Sequence, residues 1–426
     1  MPRPLSTLPK AHLHLHLTGA MRHSTMVELA REHAISLPPA LTEDWPPQLS
    51  GTDERGWFRF QRLYDVARSV LRRPVDVHRL LREAAEDEAA EGSGWLEIQA
   101  DPSGFERRFG GITPFLELVL AAAGAAAAAT GTGIAVIVAA NRTRHPLDAR
   151  TLARLAAQYA GHGVTGFGLS NDERRGAAGD FAPAFRIAER AGLLLVPHGG
   201  ELCGPGSVAA CLDDLHADRI GHGVHAVEDP ALVKRLAAEA VTLEVCPSSN
   251  VALGIAAGPE KVPLRQLFEA GVPVALGADD PLLFGPRLTA QYEIARLDHG
   301  FSDAELAELA RMSVRASAAP PGVRTRLLAG IEAWLSLSDG TSGAPPAAQR
   351  TPSRGGRPHA APALRRCPPP HDARPQTVPA LRRCPPSPSA IRYPRSPSPA
   401  PVPRDSARPG TRARPQPCYL WGMWRH

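Results

Sequence analysis

From residue 11 onward, short apolar runs alternate with longer stretches in which apolar residues recur every three or four positions. The first pattern predicts strands and the second amphipathic helices. Strands are expected at HLHLHL (12–17), WLEIQA (95–100), IAVIVAA (134–140), VTGFGL (164–169), LLLVPH (193–198), DRIGHG (218–223), TLEVCP (242–247) and VPVALGA (272–278). Helical text fills 147–161, 180–191, 205–216, 227–239 and 262–270. Strands that alternate with helices argue for a parallel sheet. Eight such units over roughly 280 residues predict an α/β fold, a (β/α)8 TIM barrel, with an open doubly wound sheet as the alternative.

Two segments interrupt this rhythm. Residues 37–92, opening with PPALTEDWPPQLSGTDERG and turning helical, read as a helical lid inserted after strand one. Residues 341–426 have no apolar period; these 86 residues carry 15 arginines, no lysine and 21 of the chain's 44 prolines. Such a stretch has too few apolar groups to offset the entropy of ordering, so a disordered tail is expected. The division is therefore a 1–340 barrel and a 341–426 tail. The chain's +5 net charge and pI near 9.0 belong to the tail, because the remainder is net acidic. Two readings of the tail stay open: an Arg/Pro segment that binds RNA or acidic surfaces, or an unselected extension. Its repeat, PALRRCPP at 362–369 and 379–386, decides neither.

The six cysteines include no C-x-x-C pair and form no disulfide framework. The first 30 residues lack the uninterrupted apolar core of a signal peptide. The Ala-rich stretch 118–130 reads as a barrel helix rather than a membrane span. The expected compartment is the cytoplasm.

In a barrel of this type chemistry gathers at the C-terminal ends of the strands. His14 and His16 end strand one, His198 strand five and His222 strand six, while Asp279 and Asp280 follow strand eight. Side chains alternate along a strand, so His12, His14, His16 and Thr18 share one face and Leu13, Leu15 and Leu17 the other. The leucines belong against the helices, which turns the histidines inward. Residues i and i+2 stand about 6.6 Å apart along a strand, close enough for His14 and His16 to lean onto one ion. His12 lies one layer deeper and reads as a core histidine or as support for a ligand.

Five stretches, LPKAHLHLHLTGA, PHGGE (197–201), RIGHG (219–223), EVCPSSN (244–250) and LGADDP (276–281), resemble the adenosine deaminase family of metal-dependent barrel hydrolases. The likeness runs in order from residue 8 to about 336. It implies one Zn2+ per chain, held by His14, His16, His198 and Asp279. It also implies that Glu201 protonates purine N1, that His222 orients and helps deprotonate the attacking water, and that Asp280 holds N7 and that oxygen. The implied reaction is hydrolytic deamination of a 6-aminopurine nucleoside, adenosine to inosine in type. No H-x-E with P-C-x-x-C pair of the cytidine-type zinc deaminases is present. Strand four has no lysine to bridge two metals. Cys246 reads as a packed thiol.

The chain departs from the family at three positions: His12 and Thr18 stand where acids are usual, and Asn171 where a glycine is. His16, Thr18, Asn171 and Asp280 are the expected substrate contacts. The missing acid at Thr18 forfeits roughly 1.5–3 kcal/mol of hydrogen bonding to a ribose 5′-hydroxyl. An alternative substrate is 6-aminodeoxyfutalosine, whose 5′ arm carries a benzoate that Arg55, Arg59 and Arg62 of the lid would pair. A third reading makes the chain a non-catalytic interaction protein acting through its tail. No membrane partner is expected, and nucleic acid is not the expected substrate.

Overall fold

The computed structural model describes residues 2–336. The 341–426 tail, with its repeat and the 1–340 domain boundary, lies outside the described residues. Eight strands follow one another in a single parallel sheet: β1 (Lys10–His16), β2 (Ser93–Ala100), β3 (Gly133–Asn141), β4 (Val164–Ser170), β5 (Leu194–Gly199), β6 (Arg219–His222), β7 (Thr242–Val245) and β8 (Val274–Leu276). Every strand overlaps its sequence-predicted segment. Neighbours pair in sequence order and all in parallel, so the (β/α)8 barrel is observed and the open doubly wound sheet is not.

The barrel closes between β1 and β8 just above the ends of regular pairing. Asp279 N–H donates to His14 O and His16 N–H to Asp279 O, both at 3.0 Å. The seam of the barrel is thus made by residues that also carry the candidate chemistry.

Period-two alternation sorts the strands as expected. On β2, Leu96, Ile98 and Ala100 join the outer apolar layer with Leu15 and Leu17. Trp95, Glu97 and Gln99 occupy the other face, all buried. The Ala-rich segment forms the helix Ile112–Thr130, which is long and apolar enough to cross a membrane by composition. Here it packs against the helix Pro74–Ala90 and β3, with Phe115, Leu116, Val119, Ala122 and Ala126 buried.

The insertion after β1 is helical. It contributes the helices Glu54–Ser69 and Pro74–Ala90. The first starts where Asp53 accepts from Gly56 N–H, a cap that satisfies one of the free amides at the helix start. Its buried face, Trp57 and Phe60, turns toward the barrel mouth, and Phe60 stacks on Phe284 at 5.7 Å.

Candidate active site

The β1 histidines turn inward as predicted. His14 is fully buried and His16 nearly so. Pairing of β5 with β6 aligns His198 with Gly221 and Gly199 with His222. Four imidazoles therefore meet at the mouth, with ring centroids of His14 lying 5.3, 4.7 and 4.9 Å from those of His16, His198 and His222. Gly221 in RIGHG is required by this crowding, because a Cβ there would stand 2.8 Å from His198 Cδ2 and 2.9 Å from His14 Cε1.

The acids arrive on turns. Asp279 Oδ1 is 3.2 Å from His16 Nε2 and 3.7 Å from His14 Nε2. Its other oxygen accepts the Ser249 hydroxyl at 2.6 Å. Asp280 opens the short helix Pro281–Phe284, but its carboxylate caps none of the helix amides. Glu201 lies 3.7 Å from His222 Nε2 and is 3 % exposed. The next helix begins only at Pro205, so Glu201 is not a helix-terminal carboxylate. Asn171, His222 and Asp279 all have left-handed backbones (φ 82°, 64° and 62°). Three such non-glycine residues in one site are consistent with strain held by the surrounding fold.

The donor geometry fits one metal ion. Ligand atoms of His14, His16 and His198 lie within 4.8 Å of one another, as do those of His16, Asp279 and Asp280. Buried His14 Nε2 has no hydrogen-bond partner, while its Nδ1 lies 2.8 Å from Glu244 Oε2. Burial disfavours a charged His14, yet the neighbouring Asp279 and Glu244 carboxylates raise its pKa to about 10. The pocket therefore favours a positive charge at this nitrogen, which a cation supplies as well as a proton does.

The other groups are tuned apart. Burial, then the Asp279 and Glu173 charges, push the Glu201 carboxyl well above the usual carboxylate range, which keeps its proton on. Burial takes His222 down to about 3, against the pull of Asp279, so its imidazole is neutral. Burial also raises Asp280 to about 7. Burial opposes ionisation of Asp279, but hydrogen bonds from His14 and His16 hold it well below the usual range. An acid kept protonated beside a base kept neutral is the arrangement of an acid–base site.

A cavity of about 90 Å3 sits over this cluster, roofed by Trp57, Phe60, Gln61, Tyr64 and Arg68 of the lid. Thr18 and Asn171 line it, and neither presents a bare floor. Thr18 shares the cavity wall with Tyr64. Trp57 Nε1–H donates to Asn171 Oδ1 at 3.2 Å, and Asn171 Nδ2 donates to Gln61 Oε1 at 3.0 Å.

One expectation turns out differently. Arg55, Arg59 and Arg62 are exposed, and Arg59 and Arg62 line a separate outer groove. The helical period carries them to the far side of Trp57 and Phe60, so they form no clamp in the cavity. His12 is a supporting core residue: Nδ1 meets Glu88 Oε1 at 2.7 Å and Nε2 accepts from Ala278 N–H at 3.0 Å. Cys246 is fully buried with its thiol pushed well above its ordinary pKa by burial, in keeping with a packed thiol.

Sequence reading missed Glu244, Ser249, Glu173, Gln99 and the lid residues Gln61 and Tyr64. Glu244 had a signal: an acid inside the strand TLEV, on the face opposite its apolar neighbours. The lid contacts had none.

The adenosine deaminase family model matches residues 9–334. The chain belongs to the adenosine deaminase family. Its fold and its hydrolysis of C–N bonds follow from that membership. The chain is 66 % identical over 333 residues to a putative adenosine/adenine deaminase of Streptomyces virginiae, covering 78 % of this chain and 98 % of that one. It is 36 % identical over 325 residues to an adenine deaminase of Rhizobium leguminosarum bv. trifolii, covering 76 % and 98 %. The crystal structure of an adenine deaminase from Arthrobacter aurescens superposes with a TM-score of 0.71 at 30 % identity, covering 77 % and 99 %. Members of this family deaminate aminopurines in a metal-dependent reaction.

Proposed function

We propose that this deaminase acts on adenine as the free base, releasing ammonia and hypoxanthine. One observation carries the choice: the position at which the family's acid would grip a ribose is Thr18, which offers no carboxylate and shares the cavity wall with Tyr64 of the lid. The similarity to relatives named adenine deaminases supports the same reading. The nucleoside expected from the sequence thus gives way to its base. The 6-aminodeoxyfutalosine alternative loses its support with the arginines that lie outside the cavity.

His14, His16, His198 and Asp279 would hold one Zn2+, a set of imidazoles and carboxylate that suits this ion and leaves a position open. When bound, the ion supplies a water whose pKa is lowered to about 7. Glu201 donates its proton to N1, which makes C6 electron-poor. His222, neutral and 3.9 Å from Asp279 Oδ2, receives the proton of the attacking water and orients it. Asp280, with Oδ1 lacking any protein partner, accepts from N7–H and from that oxygen. Oxygen bonds to C6, the proton held by His222 passes to N6, the C6–N6 bond breaks to release ammonia, and the C6 hydroxyl proton returns to Glu201 as the carbonyl of hypoxanthine forms.

The test is a comparison of kcat/KM for adenine and adenosine by ammonia release. Adenine is expected to lead by at least about tenfold, since the lost ribose acceptor alone is worth roughly 10- to 150-fold. Faster turnover of adenosine would overturn the choice of substrate.

A further inference from the structure

Glu201 must meet the purine with its carboxyl in a fixed place, yet it stands on a loop. β5 ends at Gly199 and the next helix starts at Pro205. A second acid holds this loop. Glu173, in the turn after β4, is 7 % exposed. Its Oε1 accepts from Gly200 N–H and the Ser207 hydroxyl. Its Oε2 accepts from Glu201 N–H at 2.9 Å, Leu202 N–H at 2.6 Å and Cys203 N–H at 3.0 Å.

Four consecutive backbone amides converging on one carboxylate form an anion nest. Five donors occupy both oxygens, whose lone pairs admit about four strong bonds. The opposite flank of the loop is fixed too, because Arg142 Nη2 donates to His198 O at 2.5 Å. Glu173 itself does not line the cavity.

We propose that Glu173 is a positioning residue: by gathering the amides of residues 200–203 it sets the height and direction of the Glu201 carboxyl above the histidine cluster. The inference rests on the proton-donor role proposed for Glu201. A carboxylate is needed because an amide would aim N–H groups at the nest's own N–H groups. A shift of about 1 Å in a catalytic group costs on the order of 100-fold in rate.

The experiment uses the metal-loaded full chain with adenine, comparing the parent, Glu173→Gln and Glu173→Ala by kcat, KM and metal per chain. Glu173→Gln should lower kcat about 100-fold, with KM within threefold and the metal retained. Formate, a carboxylate small enough for the nest, should restore Glu173→Ala at least tenfold and leave the parent and Glu201→Gln unchanged. If neither variant folds, Glu173→Asp decides by the same readout. Its charge remains but stands one methylene short, so kcat should fall about tenfold at constant KM.

A working parent beside variants of equal kcat overturns this inference alone. So does a kcat loss fully matched by metal loss and untouched by formate. A metal-loaded parent that deaminates no aminopurine overturns the functional reading, and this inference with it.

Discussion

Glu244 Oε2 stands 2.8 Å from His14 Nδ1, and neither side chain has any exposed surface. Glu244 Oε1 accepts from Arg219 Nε at 2.7 Å, and Arg219 Nη2 reaches Glu97 Oε2 at 2.6 Å. Burial opposes ionisation of Glu244, but Arg219 and His14 hold its carboxyl below the usual range. A buried ion pair of this kind is weak evidence for stability. Its consequence here is orientational: the carboxylate fixes the Nδ1–H tautomer of His14 and leaves Nε2 to face the site.

Carboxylates behind metal-binding histidines typically contribute 10- to 100-fold to metal affinity. Glu244→Gln is therefore expected to weaken metal binding by about that factor while the barrel stays folded. Competition against a chromogenic chelator measures it. Equal affinity in the variant would mean that Glu244 does not orient His14.

Glu201→Gln should keep its metal and lose about 100- to 10,000-fold in kcat, the usual contribution of a positioned general acid. Glutamine fits the space but has no proton to give. Steady-state kinetics with metal analysis checks this, and activity within threefold of the parent contradicts the assignment.

The pH profile follows from the same two groups. With the roles proposed for them, activity requires Glu201 protonated and His222 neutral, so kcat/KM is expected to fall at high pH as Glu201 ionises and at low pH as His222 gains a proton. Burial raises the first well above its ordinary value and takes the second down to about 3. A plateau across neutral pH is the expected outcome. An acid limb near 6.5 that disappears in His222→Gln would show that this imidazole titrates normally.

Asn171→Gly keeps the left-handed backbone at this position but releases Trp57 and Gln61 from the loop after β4. Two hydrogen bonds to the lid of about 0.5–1.5 kcal/mol each are lost, and the roof loosens. The kcat/KM ratio of adenosine to adenine should rise about tenfold. No change in that ratio would leave the lid without a part in selectivity.

The strand order and the inward histidines were legible because both rest on local periodicity, as HLHLHL shows. Strand ends were placed well because β5 and β6 carry their reactive residue at the last turn of pairing, where a barrel puts it. The lid's orientation was not legible. RGWFRFQR offers arginines and aromatics at helical spacing, and only packing against Phe284 decides which set faces the cavity. Glu173 was hidden for another reason: it acts through backbone amides, which no side-chain pattern reveals.

The relatives bear on the tail. The Streptomyces virginiae protein is matched over 98 % of its length by 333 residues of this chain. A chain ending at residue 340 should therefore keep kcat/KM for adenine within twofold of the full chain. A loss of activity on truncation would give residues 341–426 a catalytic role.

The central claim is that the cluster of His14, His16, His198 and Asp279 holds an ion on which aminopurine deamination depends. Ammonia release from adenine by the zinc-loaded chain, by the same protein after chelation, and after zinc is returned tests it most directly. Release that is lost with the metal and restored with it, hypoxanthine matching ammonia, is the predicted result. A folded chain carrying one ion and releasing no ammonia, or one equally active after complete removal of metal, would contradict it.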